Sequence, residues 1–167
     1  MIKIIGAKGN IEDVDIFLKQ ISDFSEKNKI IIQAFNADLI FGKNHIISSY
    51  NHAVRSFKRK NNITNSLAME VLLYSSGERQ IKLAIPKMGI NKGTANVAFV
   101  FIGEKLSNKK INEFLKMIYF KFDDKVIEGD INTLKKFGFS DTEIKTVVKD
   151  KYEDLILEKV AMVDIIK

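Results

Sequence analysis

The chain has 167 residues, 46% of them hydrophobic, no cysteine, and a formal net charge of +6 at pH 7. A chain of this size buries about 70% of its unfolded surface without disulfide or metal staples. The absence of cysteine removes disulfides, thiolate catalysis and thiolate zinc sites together.

The opening MIKIIGAKGNIED lacks the apolar core and cleavage pattern of a signal peptide. No segment approaches the roughly 20 consecutive apolar residues of a membrane span, so a cytoplasmic protein without membrane contact is expected. Ile2 to Ile5 and Ile30 to Phe35 are β-branched runs. Between them Val14, Phe17, Leu18, Ile21 and Phe24 recur at helical spacing behind Asn10, a candidate N-cap. From Asn44 or His45 to about Arg59, the residues Ile46, Tyr50, Ala53, Val54 and Phe57 line one helix face, with His45, Ser49, His52 and Arg59 on another. The segment from Ser66 to Ser76 is apolar on most of its circumference apart from Glu70, and Gly77 is placed to end it.

A further helix follows Arg79, and Pro86 inside it deletes a backbone bond and predicts a kink. Ala95 to Ile102 is β-rich, and Ser107 then caps an amphipathic helix running to about Tyr119. Asp130 to Phe137 reads as a short helix closed by Gly138, Ser140 to Glu143 as a capping box, and Tyr152 to Ile166 as a last amphipathic helix. Together these predict a mixed α/β fold, a small sheet packed with multiple helices, as one domain over residues 1–167.

The chain contains no phosphate-loop, nucleophile-elbow or HExxH signature. Gly6 and Gly9 read as turn punctuation rather than a phosphate cradle. His45 and His52 are two helical turns apart, about 10 Å, too far for one metal; His45 is expected to bond locally or pack, and His52 to be solvated. The carboxylate pairs Asp123–Asp124 and Glu153–Asp154 diverge from each other and read as solvated surface. A protein without catalytic residues, metal or cofactor is expected.

Charge is unevenly distributed. Between Phe41 and Leu83 the acidic residues are Glu70 and Glu78, whereas acids crowd the C-terminal half. Arg55, Lys58, Arg59 and Lys60 form the densest cation cluster, suited to phosphate contact or simply to complementing a helix C-terminus. Arg79, Gln80 and Lys82 follow Gly77, where amides and a guanidinium can converge on a nucleic-acid end or merely start a helix.

Three spaced segments carry a family resemblance: NADLIFGKNHI (Asn36 to Ile46), SSGERQI with the following Ala84 and MGI (Ser75 to Ile90), and ILEKVAMVDI near the end. Together they resemble the smallest accessory subunit of the KEOPS tRNA-modifying complex, the PRPK-binding protein family, in its archaeal form. Gly42, where the family tends to place a serine cap, and Pro86 depart from its pattern. The resemblance implies a non-catalytic subunit that binds the complex's kinase-like ATPase and helps capture tRNA through its single-stranded 3′ CCA end. The chemistry, threonylcarbamoylation of an adenosine, belongs to another subunit.

On that reading Arg55, Lys58, Arg59 and Lys60 engage phosphates, while Ser75, Ser76, Gly77, Arg79, Gln80 and Lys82 meet the terminal nucleotides. Ile81, Ile85, Met88 and Ile90 are candidates for the kinase-facing patch, with ordinary core packing as their alternative. Two other function classes are left open: a scaffold or kinase regulator that contacts protein without specific RNA binding, and a small enzyme of unfamiliar type, which would need a pocket with convergent polar groups.

Overall fold

The structure, a computed structural model, describes residues 1–166. Its strands are β1 (Ile2–Lys8), β2 (Ile31–Asn36), β3 (Asn96–Ile102) and β4 (Lys121–Phe122), joined in one antiparallel sheet of order β2-β3-β1-β4. β3 is central: it pairs with β1 from Ile2–Ile102 to Lys8–Asn96, and with β2 from Ile31–Ile102 to Asn36–Val97.

Side chains alternate across the sheet, and both faces are covered. Ile5, Ala7, Ile32, Ala34, Phe99 and Phe101 point toward α1 (Val14–Asn28) and α5 (Asn108–Met117), which contribute Phe17, Ile21, Ile111 and Phe114 to that core. Ile4, Phe35, Ala98 and Val100 point the other way. They meet α2 (Gly42–Arg59), α3 (Leu67–Ser76), α4 (Ile81–Met88), α6 (Ile131–Phe137), α7 (Asp141–Ile144) and α8 (Tyr152–Ile166). Burial on both faces is why NVAFVFI in β3 is continuously apolar instead of alternating. The mixed α/β class read from the sequence is the class observed.

Local signals set most helix ends where expected. Gly77 (φ 69°) and Gly138 (φ 118°) take the left-handed conformation that closes α3 and α6. The Ser107 hydroxyl accepts the Lys110 amide, and Asp130–Thr133 and Ser140–Glu143 form capping boxes.

Four local readings are corrected. Asn10 does not cap α1; Asp13 does, accepting the Ile16 amide at 2.9 Å, because residues 9–11 are still tied to the 93–95 segment by Gly9 N–H to the Ala95 carbonyl and Gly93 N–H to the Ile11 carbonyl. α2 begins at Gly42, before Asn44, and no side chain of its N-cap residue Phe41 bonds its first turn. Gly6 and Gly9 mark close approach, not a turn: Gly6 lies in β1 with its N–H donated to Asp124, and a Cβ on Gly9 would fall 2.5 Å from the Phe120 ring. Nor are Asp123 and Asp124 loose surface, since they ion-pair with Lys8 and Lys43 at 3.1 and 2.6 Å. Pro86 lies inside α4, and the helix ends two residues later at Met88, where the Gly89 amide reaches the Ile85 carbonyl at 2.8 Å.

Candidate functional site

α2 and α3 run antiparallel, and their seam is built from polar groups. At one end the buried carboxylate of Glu70 accepts the Ser56 hydroxyl at 3.0 Å, the Ile63 amide at 3.1 Å, and both the amide and hydroxyl of Thr64 at 2.9 Å. Glu70 thus holds the loop that follows the basic end of α2. A charge can be buried here because hydrogen bonds replace the water it loses.

At the other end His45 packs and bonds locally, as expected, but it is fully buried on a helix face that was not expected to meet the core. Its Nδ1 accepts the Phe41 amide at 3.2 Å and its Nε2 faces the Ser75 carbonyl at 2.8 Å. An amide can only donate and a carbonyl can only accept, so the ring is the neutral Nε2–H tautomer. It bonds the start of α2, where the N-cap residue Phe41 makes no side-chain cap. Burial drives its pKa down to about 4 from an ordinary 6.5, against the opposing pull of the Ser75 carbonyl and with a smaller lowering from Lys87. Ser49 is buried as well, its hydroxyl donated to the His45 carbonyl.

His52, expected to be solvated, is instead clamped: its Nδ1 lies 2.6 Å from Asp164 of α8 and its ring stacks on Tyr74 at 5.4 Å. The Tyr74 hydroxyl donates to the other Asp164 oxygen, and burial followed by that bond raises the phenol pKa. Arg79 Nη1 donates to the Ile166 carbonyl at 3.0 Å, satisfying the C-terminal end of α8. α2, α3 and the segment before α4 are therefore all tied to the last turns of α8.

Against this frame the candidate RNA residues fall into two groups. Arg55, Lys58, Arg59 and Lys60 are exposed at the end of α2, where Lys60 is the left-handed C-cap (φ 58°). Ser75, Ser76 and Gly77 lie at the far end of α3, which is ten residues long and so separates the groups by about 15 Å. The hydroxyls of Ser75 and Ser76 are buried: Ser76 donates to the Leu73 carbonyl and accepts the Glu78 amide, and Ser75 Oγ has no partner among the described residues. These two side chains belong to the interior, because α2, α6 and α8 close over the end of α3. Arg79 and Lys82 are exposed and Gln80 is half-buried.

The candidate partner residues divide similarly. Met88 is fully buried in the core, and Ile81 and Ile90 are half-buried against the cores on the two sides of the sheet. Ile85 is 45% exposed, beside an exposed Leu83 that the periodicity did not single out. Behind α4 the Lys87 ammonium lies 4.0 Å from the Phe137 ring centre and 3.3 Å from Glu78; burial lowers its pKa and Glu78 opposes the shift. No group of three or more His, Cys, Asp or Glu placed to hold a metal occurs among the described residues.

These features define a mixed α/β protein in which helices are locked to one another by buried polar bonds, with a cluster of exposed cations at the end of α2. Residues 10–164 match the family described as kinase binding protein CGI-121. Over 137 residues the chain is 31% identical to the regulatory protein Cgi121 of Methanocaldococcus jannaschii, a similarity covering 81% of this chain and 84% of that protein. The chain belongs to the CGI-121 family.

Proposed function

We propose that this chain is a non-catalytic accessory subunit of the KEOPS complex, which modifies tRNA to N6-threonylcarbamoyladenosine. It binds the complex's kinase-like ATPase and helps recruit tRNA through the 3′ CCA end, acting in the cytoplasm as a single domain without a cofactor. The observation that carries this reading is the match of residues 10–164 to a kinase-binding family. The RNA half is supported by the exposed cluster Arg55, Lys58, Arg59 and Lys60, none of which is ion-paired to an acid among the described residues. No helix of the described residues is long and apolar enough to cross a membrane.

The decisive measurement is binding of one tRNA with and without its CCA end at two salt concentrations, by the native chain and by the double variant R59E/K60E. Tail recognition predicts tighter binding of the intact tRNA at both salts and a loss of about tenfold or more in the variant. The burial of the Ser75 and Ser76 hydroxyls favours a second reading, a scaffold that binds protein and no specific RNA. Equal, salt-labile binding of both tRNAs would select it.

For the kinase-like partner, the surface proposed is the exposed side of α4. Ile85→Lys should weaken capture of that partner by about tenfold or more while leaving tRNA affinity and thermal stability unchanged. Unaltered capture would move the interface elsewhere.

A further inference from the structure

A groove of about 720 Å³ opens where the first turn of α2, the turn before α6 and the start of α8 meet. Its apolar surface comes from Phe41, Ile131 and Tyr152. Gly129, also in the groove lining, packs so closely on the Phe41 ring that a Cβ there would fall 2.3 Å from it. Ile131, 39% exposed, leaves apolar area facing water.

The rim is acidic. Glu128, Asp130, Asp150 and Glu153 line it against one lysine, Lys149. None of the four carboxylates is ion-paired among the described residues. Asp130 accepts the Asn132 and Thr133 amides and Glu153 meets the Asn44 amide group, while the Glu128 and Asp150 side chains make no hydrogen bond among the described residues. A protein of net charge +6 thus gathers uncompensated negative charge around an apolar floor.

We infer that this groove docks a basic segment of a partner protein, one in which lysine or arginine side chains are interspersed with aliphatic ones. The aliphatic groups cover Phe41, Ile131 and Tyr152, and the cations meet the rim carboxylates and the aromatic faces. The volume suits a few side chains of an extended segment rather than a whole helix. The same charges repel nucleic acid, so this face does not serve RNA. α2, with 18 residues, spans about 27 Å and sets the groove at the opposite end from Arg55 to Lys60. Both ends can be occupied at once, and the inference does not depend on whether tRNA binds.

The test is a titration of the isotope-labelled full chain with a capped peptide of alternating arginine and leucine, followed by backbone NMR. Parallel titrations use a glutamate–leucine peptide and an arginine-only peptide. Saturable shifts centred on Gly42, Gly129 and Tyr152, seen strongly with the arginine–leucine peptide, are expected. The variant E128K/D150K, which removes no hydrogen bond of the fold, should lose about tenfold or more in peptide affinity with an unchanged melting temperature. Shifts scattered over acidic surface, equal binding by the arginine-only peptide, or undiminished binding by the variant would overturn the assignment. So would tRNA perturbing these amides more strongly than the peptide.

Discussion

Replacing Glu70 with alanine is expected to cost about 3 kcal/mol or more of folding stability, measured by urea unfolding. The carboxylate accepts from Ser56, from the Ile63 amide and from both donors of Thr64, and Glu70, Ser56 and Thr64 are all buried. Removing the carboxylate takes the acceptor from the Ile63 and Thr64 amides, at about 1–3 kcal/mol for each one that water cannot reach, and strips one bond from each of the Ser56 and Thr64 hydroxyls. Glu70→Gln keeps one oxygen but turns an NH₂ toward donors, so it should fall between alanine and the native chain. Hydrogen exchange at Ile63 and Thr64 should accelerate in both variants, because these amides lose their acceptor. The same loop follows Lys58, Arg59 and Lys60 directly, so an effect on tRNA affinity larger than the folded fraction accounts for would connect the lock to the presentation of the basic end. A cost below about 1 kcal/mol would mean that water replaces the carboxylate.

Glu70 also shows where sequence reasoning stops. A single charge on an otherwise apolar helix is visible in the sequence, but its donors at 56, 63 and 64 converge only once α3 folds back along α2. What was legible was local. The glycines at 77 and 138 and the caps at Ser107 and Ser140 act through hydrogen bonds within a few residues, and the structure has them as expected, with Asp130 added as the cap of the helix read from it. Illegible were the contacts set by tertiary packing. His45 and Ser49 lie on what reads as the polar side of α2, yet α3 covers that side, and burial is tolerated because the ring nitrogens and the hydroxyl find backbone partners.

His52 and Asp164 are 112 residues apart, a pairing that no periodicity encodes. The candidate site fared the same way: the cations after Arg55 are exposed, while Ser75, Ser76 and Met88 went into the interior. Hydropathy spacing reports that α4 has an apolar side; it does not report that Ala84 and Met88 are covered while Leu83 and Ile85 remain open. The acidic groove draws on segments 41, 128–131 and 149–153, so its charges look scattered along the chain and meet only in the fold.

Acidification should weaken the fold through His45 in a defined window. In the unfolded chain the imidazole takes a proton as pH falls through 6.5; in the fold it refuses one until about 4. A depressed folded-state pKa on a base means full stability above pH 6.5 and progressive loss below it, amounting to about 3 kcal/mol by pH 4. The structural reason is specific: Nδ1 is already an acceptor from the Phe41 amide, so a second proton there would face another donor and release the start of α2. Urea unfolding at pH 7.5, 6 and 5 should show this loss in the native chain. In His45→Gln, whose amide group can accept from Phe41 and donate to Ser75 without titrating, that component should vanish. The stability gap between native chain and variant should therefore narrow by about 2 kcal/mol from pH 7.5 to pH 5. The other ionisable groups are common to both proteins and cancel in the difference. A gap that stays constant would mean that the buried ring takes its second proton at the same pH as the unfolded chain, and would overturn the neutral Nε2–H assignment.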